Sequence, residues 1–199
     1  MAVERHLRAL EAAVDGPMTL GELVHRMKHN GFGLIVVFVC LPFLQPFPLA
    51  GLSTVLGAFI SLLGAQLLRG RKELRLPDWI ARRRIEENTL HLLLGVARRF
   101  FALADKVARP RWRALARNER AAGAGIALSG ALLSLPFPIP LSNMISAGPA
   151  TLLALALLEE DGFIALLGWF GILVSISFHI GLALLGADGA RALWRAAFS

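Results

Sequence analysis

Two stretches of this chain place prolines where a helix tolerates them least: Leu41-Pro42-Phe43-Leu44-Gln45-Pro46-Phe47-Pro48-Leu49 and Leu135-Pro136-Phe137-Pro138-Ile139-Pro140-Leu141. A proline inside a helix removes a backbone donor and drives its ring into the preceding turn. Three at near-alternate positions cannot be helical. Both stretches interrupt long uncharged runs: Asn30 to Leu68 and Ala121 to Leu158 contain no Asp, Glu, Lys or Arg, and Gly162 to Ala187 carries only His179. Each run exceeds the roughly 20 apolar residues that a membrane span requires. The chain is 56% hydrophobic, against about 45–50% in soluble domains. It reads as an all-α integral membrane protein whose backbone opens at two places inside hydrocarbon.

The first run divides into arms of unequal reach. At 1.5 Å per residue, Gly31 to Leu41 spans about 16 Å and Leu52 to Leu68 about 25 Å. The shorter is roughly half of the ~30 Å hydrocarbon core, so the run reads as a hairpin with its tip within or near the far side. Gly57, Ser61 and Ala65 recur every fourth residue on the second arm. Such a stripe of small side chains lets another helix approach closely.

The second run repeats the first. Gly31 stands ten residues before Leu41-Pro42-Phe43, and Gly125 ten before Leu135-Pro136-Phe137. With Leu44-Gln45 as an insertion, Pro46-Phe47-Pro48-Leu49 aligns with Pro138-Ile139-Pro140-Leu141, and Leu67-Leu68 and Leu157-Leu158 close the two units. The expectation is an internal duplication giving two proline-broken helical hairpins. The copies end in opposite charge, Arg69-Gly70-Arg71-Lys72 against Glu159-Glu160-Asp161. Transporters contain both parallel and inverted repeats, and the sequence leaves both open.

A formal charge of +7 invites a nucleic-acid reading, but 15 of the 21 Lys and Arg fall between Arg69 and Arg120. Basic residues flanking membrane segments mark the cytoplasmic face, and no nucleic-acid partner is expected. From Ile85 to Val107 apolar residues keep 3–4 spacing, as in an amphipathic connector at the membrane interface. Trp79 and Trp112 suit the headgroup zone on either side of it. Arg82, Arg83 and Arg84 are candidates for holding lipid headgroups; a generic cytoplasmic charge signal explains them as well. Earlier, Thr19 and Glu22 have the spacing of a capping box. Residues 1–29 lack a leading apolar core, so no secretory signal is expected and the first run directs insertion. The whole reads as one membrane domain. Its parts are N-terminal surface helices (1–29), first repeat (30–68), basic connector (69–120), second repeat (121–158) and a final transmembrane helix (162–187).

Opened backbone in hydrocarbon survives only where protein surrounds it or it borders a water-filled cavity. Short polar residues lie beside the breaks: Gln45, Ser53 and Thr54 in the first copy, Ser142, Asn143 and Ser146 in the second. They are candidates for binding a polar or anionic group at the restarting helices, where free amides point inward. The competing reading is that they only satisfy amides freed by the prolines, with Ser53 or Ser142 and Asn143 as caps. His179 is a proton-handling candidate, since histidine changes charge near neutral pH and an intramembrane ionisable group is a functional hypothesis by default; the competing reading is a neutral histidine, near the end of its span, hydrogen-bonded to a neighbouring helix. Glu159-Glu160-Asp161-Gly162 offers hard oxygen ligands but is read as a solvated turn, with Gly162 allowing the bend. Cys40 is read as a packed hydrophobe. No catalytic signature appears, so no enzyme, cofactor or metal is expected.

The chain resembles the ExoD family of bacterial exopolysaccharide-synthesis membrane proteins from about Leu20 to Leu185. The resemblance rests on Gly31-Phe32-Gly33-Leu34, Leu41-Pro42-Phe43, Gly51-Leu52-Ser53-Thr54-Val55-Leu56-Gly57, Ala65-Gln66-Leu67-Leu68 and Pro77-Asp78-Trp79-Ile80. It continues through Arg82-Arg83-Arg84-Ile85, Leu135-Pro136-Phe137-Pro138-Ile139-Pro140, Ser142-Asn143 and Asp161-Gly162. It implies a multi-pass bacterial inner-membrane protein tied to exopolysaccharide production, and no particular reaction. The expected partners are the lipid bilayer and the exopolysaccharide-synthesis machinery, with homodimer formation left open. Three roles follow in order: a transporter-like protein with its site where the breaks meet, a non-transporting scaffold for polysaccharide-synthesis enzymes or lipids, and a lipid-modifying enzyme.

Overall fold

The computed structural model describes residues 18–19, 22, 31–44, 52–71, 74, 81–82, 84–85, 95, 108–135 and 141–198. Gln45, Arg83, Trp79, most of the amphipathic connector and the prolines at 46, 48, 136, 138 and 140 lie outside them.

Among the described residues the chain is helical apart from one short strand pair. β1 (Met18–Thr19) lies antiparallel to β2 (Arg84–Ile85), with Met18 opposite Ile85 and Thr19 opposite Arg84. The capping box forms: Glu22 N–H donates to Thr19 Oγ1 at 3.2 Å, and Thr19 N–H donates to the Glu22 carboxylate at 2.8 Å. Ile85, read as the start of the connector helix, is a strand residue instead, because its peptide pairs with β1.

Helix α1 (Gly31–Cys40) runs into a 3₁₀ turn at Leu41–Leu44. Pro42 sits early in that turn, where a missing donor costs least, and the tighter winding buries Phe43 completely. α2 (Leu52–Leu68) has the bounds read for the second arm. It stops at Gly70, whose φ of 72° is a left-handed conformation that glycine adopts without a Cβ penalty. Arg71 N–H then donates back to the Gln66 carbonyl at 3.2 Å, the closing bond of a Schellman stop.

A one-turn helix α3 (Arg113–Ala116) precedes α4 (Glu119–Leu133), whose Asn118 cap accepts from Ala121 N–H at 3.1 Å. α5 (Ser142–Glu159) and α6 (Gly162–Phe198) follow. α6 runs past the expected span; its 37 residues reach about 55 Å.

Side chains of almost every orientation are buried on α5, as befits a central helix packed on all sides. α1, α4 and α6 surround it, while α2 packs chiefly along α4. Four contacts set α2 and α4 antiparallel: Gly57 against Ser134, Ser61 against Gly130, Gly64 against Ala127, and Leu68 against Gly123. The expected small-residue stripe is thus half of an interface in which backbone touches backbone. A Cβ on Gly57 would stand 2.8 Å from the Gly130 carbonyl oxygen. α5 and α6 are also antiparallel, with Leu153 against Gly168, Pro149 against Gly171 and Ser146 against Ser175. α1 meets α5 through Gly33 against Leu158 and Ala154.

These registers sort the bundle into two ends. Arg69, Arg71, Arg120, the 109–117 segment and Glu160-Asp161 gather at one. The 3₁₀ turn of α1 and the starts of α2 and α5 lie at the other, with the end of α4. The helices that flank the two proline breaks therefore stop at the same end of the described bundle, past which α6 alone continues, carrying Asp188, Arg191 and Arg195, and the 3₁₀ turn of the first break packs on α5.

Candidate functional site

At the end opposite the Glu160-Asp161 turn a polar seam runs between α5 and α6. Ser146 Oγ and Ser175 Oγ lie 3.4 Å apart with both residues buried. One turn further along α6, His179 Nδ1 is 2.7 Å from the Ser175 carbonyl oxygen. A carbonyl can only accept, so Nδ1 carries the proton, and Nε2 is the ring's acceptor in the neutral form. Phe178 meets the imidazole edge-on at 5.6 Å between centroids. Continuing the α5–α6 register by one turn sets Ser142 level with His179. Both residues are buried, at 4% and 6% exposure. Pro149 lies one turn from the serine pair, and only the bare face of Gly171 leaves room for its ring: a Cβ there would sit 2.9 Å from Pro149 Cγ.

The residues singled out from the sequence separate into two groups. Ser142, Ser146 and His179 line the seam, and Asn143 is half-buried beside it. Ser53 is buried on α2 and Thr54 is exposed; α2 packs on α4, so these two are not brought to the seam. Ser142 does not cap its helix. It is the first helical residue, and the capping position is Leu141, in a left-handed conformation with no side-chain bond. Ser53 is likewise inside α2 rather than before it. Arg82 is exposed in a turn and Arg84 is fixed beside Thr19. Sequence reasoning passed over Ser175, although it stands four residues before His179 on the same helical face, and Pro149, a third kind of helix irregularity within the second run.

The charged end is built differently. Asp161, fully buried, caps α6 by accepting Phe163 N–H at 2.9 Å, and also accepts Arg109 N–H at 2.8 Å and Arg111 Nε at 3.3 Å. Desolvation pushes its pKa up, but the two peptide donors and the Arg111 hydrogen bond and charge outweigh it. The carboxyl stays below its ordinary value of 3.8. The Arg111 guanidinium also lies 4.4 Å over the Phe163 ring. Glu160 takes Arg117 through two oxygens at 3.1 Å and Arg113 at 3.5 Å. The acidic turn is thus a clamp on the basic segment rather than a solvated loop. The left-handed residue making its bend is Glu160 (φ 53°), not Gly162. Gly162 instead admits the 111–112 backbone: its N–H donates to the Arg111 carbonyl at 2.7 Å, and a Cβ would stand 2.7 Å from that of Trp112. No group of three or more His, Cys, Asp or Glu among the described residues is placed to hold a metal.

Comparison with known proteins places the chain in a family. The profile described as "Exopolysaccharide synthesis, ExoD" matches residues 3–181. This chain belongs to the ExoD family. It is 32% identical over 169 residues to Protein ExoD of Rhizobium meliloti (strain 1021), covering 82% of this chain and 70% of that one. An uncharacterized protein of Synechocystis sp. is 27% identical over 164 residues, covering 81% and 77% respectively. No solved structure matches. Membership in the ExoD family implies a part in exopolysaccharide synthesis.

Proposed function

We propose that this ExoD-family chain is a multi-pass inner-membrane protein that supports exopolysaccharide synthesis in a transporter-like, non-enzymatic role, with its site at the α5–α6 seam. The observation that carries this reading is the Ser146–Ser175–His179 line, buried between largely apolar helices at the end where the helices flanking both breaks stop. Polar and ionisable groups at such depth are costly and mark pathways for ions or substrates.

The membrane reading is supported by α6. Its first 25 residues, Gly162–Gly186, are long and apolar enough to cross a bilayer, yet only 33% of the apolar window is buried. A core helix of a soluble protein would hide most of it. Here Phe170, Leu173, Leu184 and Leu185 stand more than 60% exposed, as side chains facing lipid would. The arginine-rich end is then cytoplasmic. Duplication is supported by two equivalent antiparallel pairings, α1 on α5 and α4 on α2. Gly33 against Ala154 corresponds to Ala127 against Gly64. In this reading the copies run in the same direction, as parallel repeats.

Purified protein in liposomes tests the role. Flux of an ion or polar solute is expected, reduced several-fold by Ser142→Ala with Asn143→Ala. Cysteines at 69–71 and at 159–161 are expected to be labelled from the same side; opposite sides would exclude the parallel arrangement. The scaffold reading draws on Thr151 and Ser134, whose hydroxyls donate to carbonyls of their own helices at 2.9 Å. Full complementation by the Ser142/Asn143 double variant, with no flux from the wild type, would favour it.

A further inference from the structure

Ser129 on α4 is 1% exposed, and its hydroxyl finds no hydrogen-bond partner among the described residues. A buried hydroxyl left unpaired costs free energy, and native structures hold few. Its position is informative. One turn earlier on the same face, a Cβ on Gly125 would touch Leu153 of α5 and Ile172 of α6, with Trp169 at 3.6 Å. This face of α4 therefore looks into the groove between α5 and α6. α4 runs antiparallel to α5, with Gly125 beside Leu153 and Arg117 bonded to Glu160. Ser129 thus falls level with Pro149, about one 5.4 Å turn from the Ser146–Ser175 pair. Pro149 has no N–H, so the Ile145 carbonyl there lacks its helical donor. Two under-used polar groups and a serine pair meet at one level of an apolar bundle.

We propose that Ser129 is the third hydroxyl of this seam and that the species it passes is the proton, relayed by water held among Ser129, the Ile145 carbonyl and the Ser146–Ser175 pair to His179. This rests on the transporter-like reading above and names its cargo. A water needs two to four polar partners, and those groups supply them. Hydroxyls both donate and accept, so they hand a proton on without a net charge of their own. An anion finds no neutralising group on the described seam, where His179 is the one ionisable residue; the arginines of α6, Arg191 and Arg195, stand three or more turns beyond it. The step balances simply. The proton adds to the Nε2 lone pair of His179 to give an imidazolium whose Nδ1–H stays on the Ser175 carbonyl. It then leaves from Nε2 to the next water, carrying one positive charge and changing no bond between heavy atoms.

The test is proton flux by the full chain in liposomes with an entrapped pH dye, driven by a potassium–valinomycin potential, with radiolabelled solute flux measured in parallel. Wild type should move protons. His179→Gln should lower the rate at least tenfold, Ser129→Ala three- to tenfold, and Ser129→Thr, which keeps the hydroxyl, should restore most of it. Thermal midpoints within about 2 °C of wild type would exclude misfolding as the cause. Wild-type proton flux in Ser129→Ala overturns the role of Ser129. Solute flux without proton flux overturns the proton relay while leaving the transporter-like reading standing. Absence of both overturns the two together.

Discussion

The two long helix pairs, α2 with α4 and α5 with α6, are both antiparallel and both rich in small residues, yet they are packed on opposite principles. In α2–α4 the small residues face one another: Gly57, Ser61 and Gly64 meet Ser134, Gly130 and Ala127 so closely that backbone seals against backbone. In α5–α6 the glycines face bulk. Gly168 receives Leu153 and Gly171 receives the ring of Pro149, and polar side chains fill the next turn. In the membrane reading proposed above, apolar burial gives no driving force between helices, so close packing supplies the association. The first pair is zipped along its length. The second is pinned at the charged end by Asp161 and polar at the other.

The largest expected effect tests the zipper. Gly64→Ala places a methyl against the Ala127 backbone and 2.7 Å from the Gly123 carbonyl oxygen, where nothing can rotate away. Overpacking costs typically 1–3 kcal/mol and sometimes more; with backbone as the obstacle, a loss of about 3 kcal/mol is expected, or roughly 6–12 °C in thermal midpoint. Gly148→Ala is the matched control. Nothing lies within 4 Å of its added Cβ, so it should gain about 0.5–1 kcal/mol from helix propensity. Equal effects at the two positions would break the comparison.

Asp161→Ala should come next, at about 2–3 kcal/mol, since it removes a buried cap and leaves two peptide donors and Arg111 without their acceptor. The sign of the pH dependence follows from its lowered pKa. Its contribution is present above the unfolded carboxyl value and lost as pH falls through the lower folded one. Wild type should therefore lose midpoint below about pH 4, in a window where Asp161→Ala is flatter; parallel acid curves would show that Asp161 does not pin the pair.

How much of this was legible in the sequence differs between the same two regions. The stripe on α2 was readable because close backbone approach between helices demands small residues at fixed spacing, and Gly57 and Ser61 do meet a partner. The partner was not readable: nothing in the α2 sequence says that it packs on α4 rather than folding back on α1. Ser142, Ser146 and His179 stood out as polar residues in apolar runs, but their meeting depends on an antiparallel register that only the fold supplies, and Ser175 drew no attention until that register was known. The Glu160-Asp161 turn was visible as charge. Its arginine partners lie some 43 to 50 residues away, a distance that no local pattern spans.

A smaller effect of opposite sign is expected where α5 begins. Leu141 holds φ at 75° with no side-chain bond and 52% exposure, so its side chain contributes little packing while its backbone bears the left-handed cost of about 1–2 kcal/mol. Leu141→Gly should raise the midpoint by about 2–4 °C. A decrease would mean that this leucine packs on something essential to the start of the seam.

The smallest effect is the most telling for the comparison. Ser146→Ala removes a contact of 3.4 Å, at the long edge of hydrogen-bond geometry, so the expected cost is about 0.5 kcal/mol or less and the midpoint should hardly move. Proton flux should nevertheless fall several-fold, because the seam loses a donor and acceptor next to Ser175. That combination would separate the two pairs by purpose: glycines in α2–α4 that stabilise and do nothing else, hydroxyls in α5–α6 that stabilise little and are retained for what they pass. A midpoint loss approaching that of Gly64→Ala would make Ser146 a structural joint and remove the distinction.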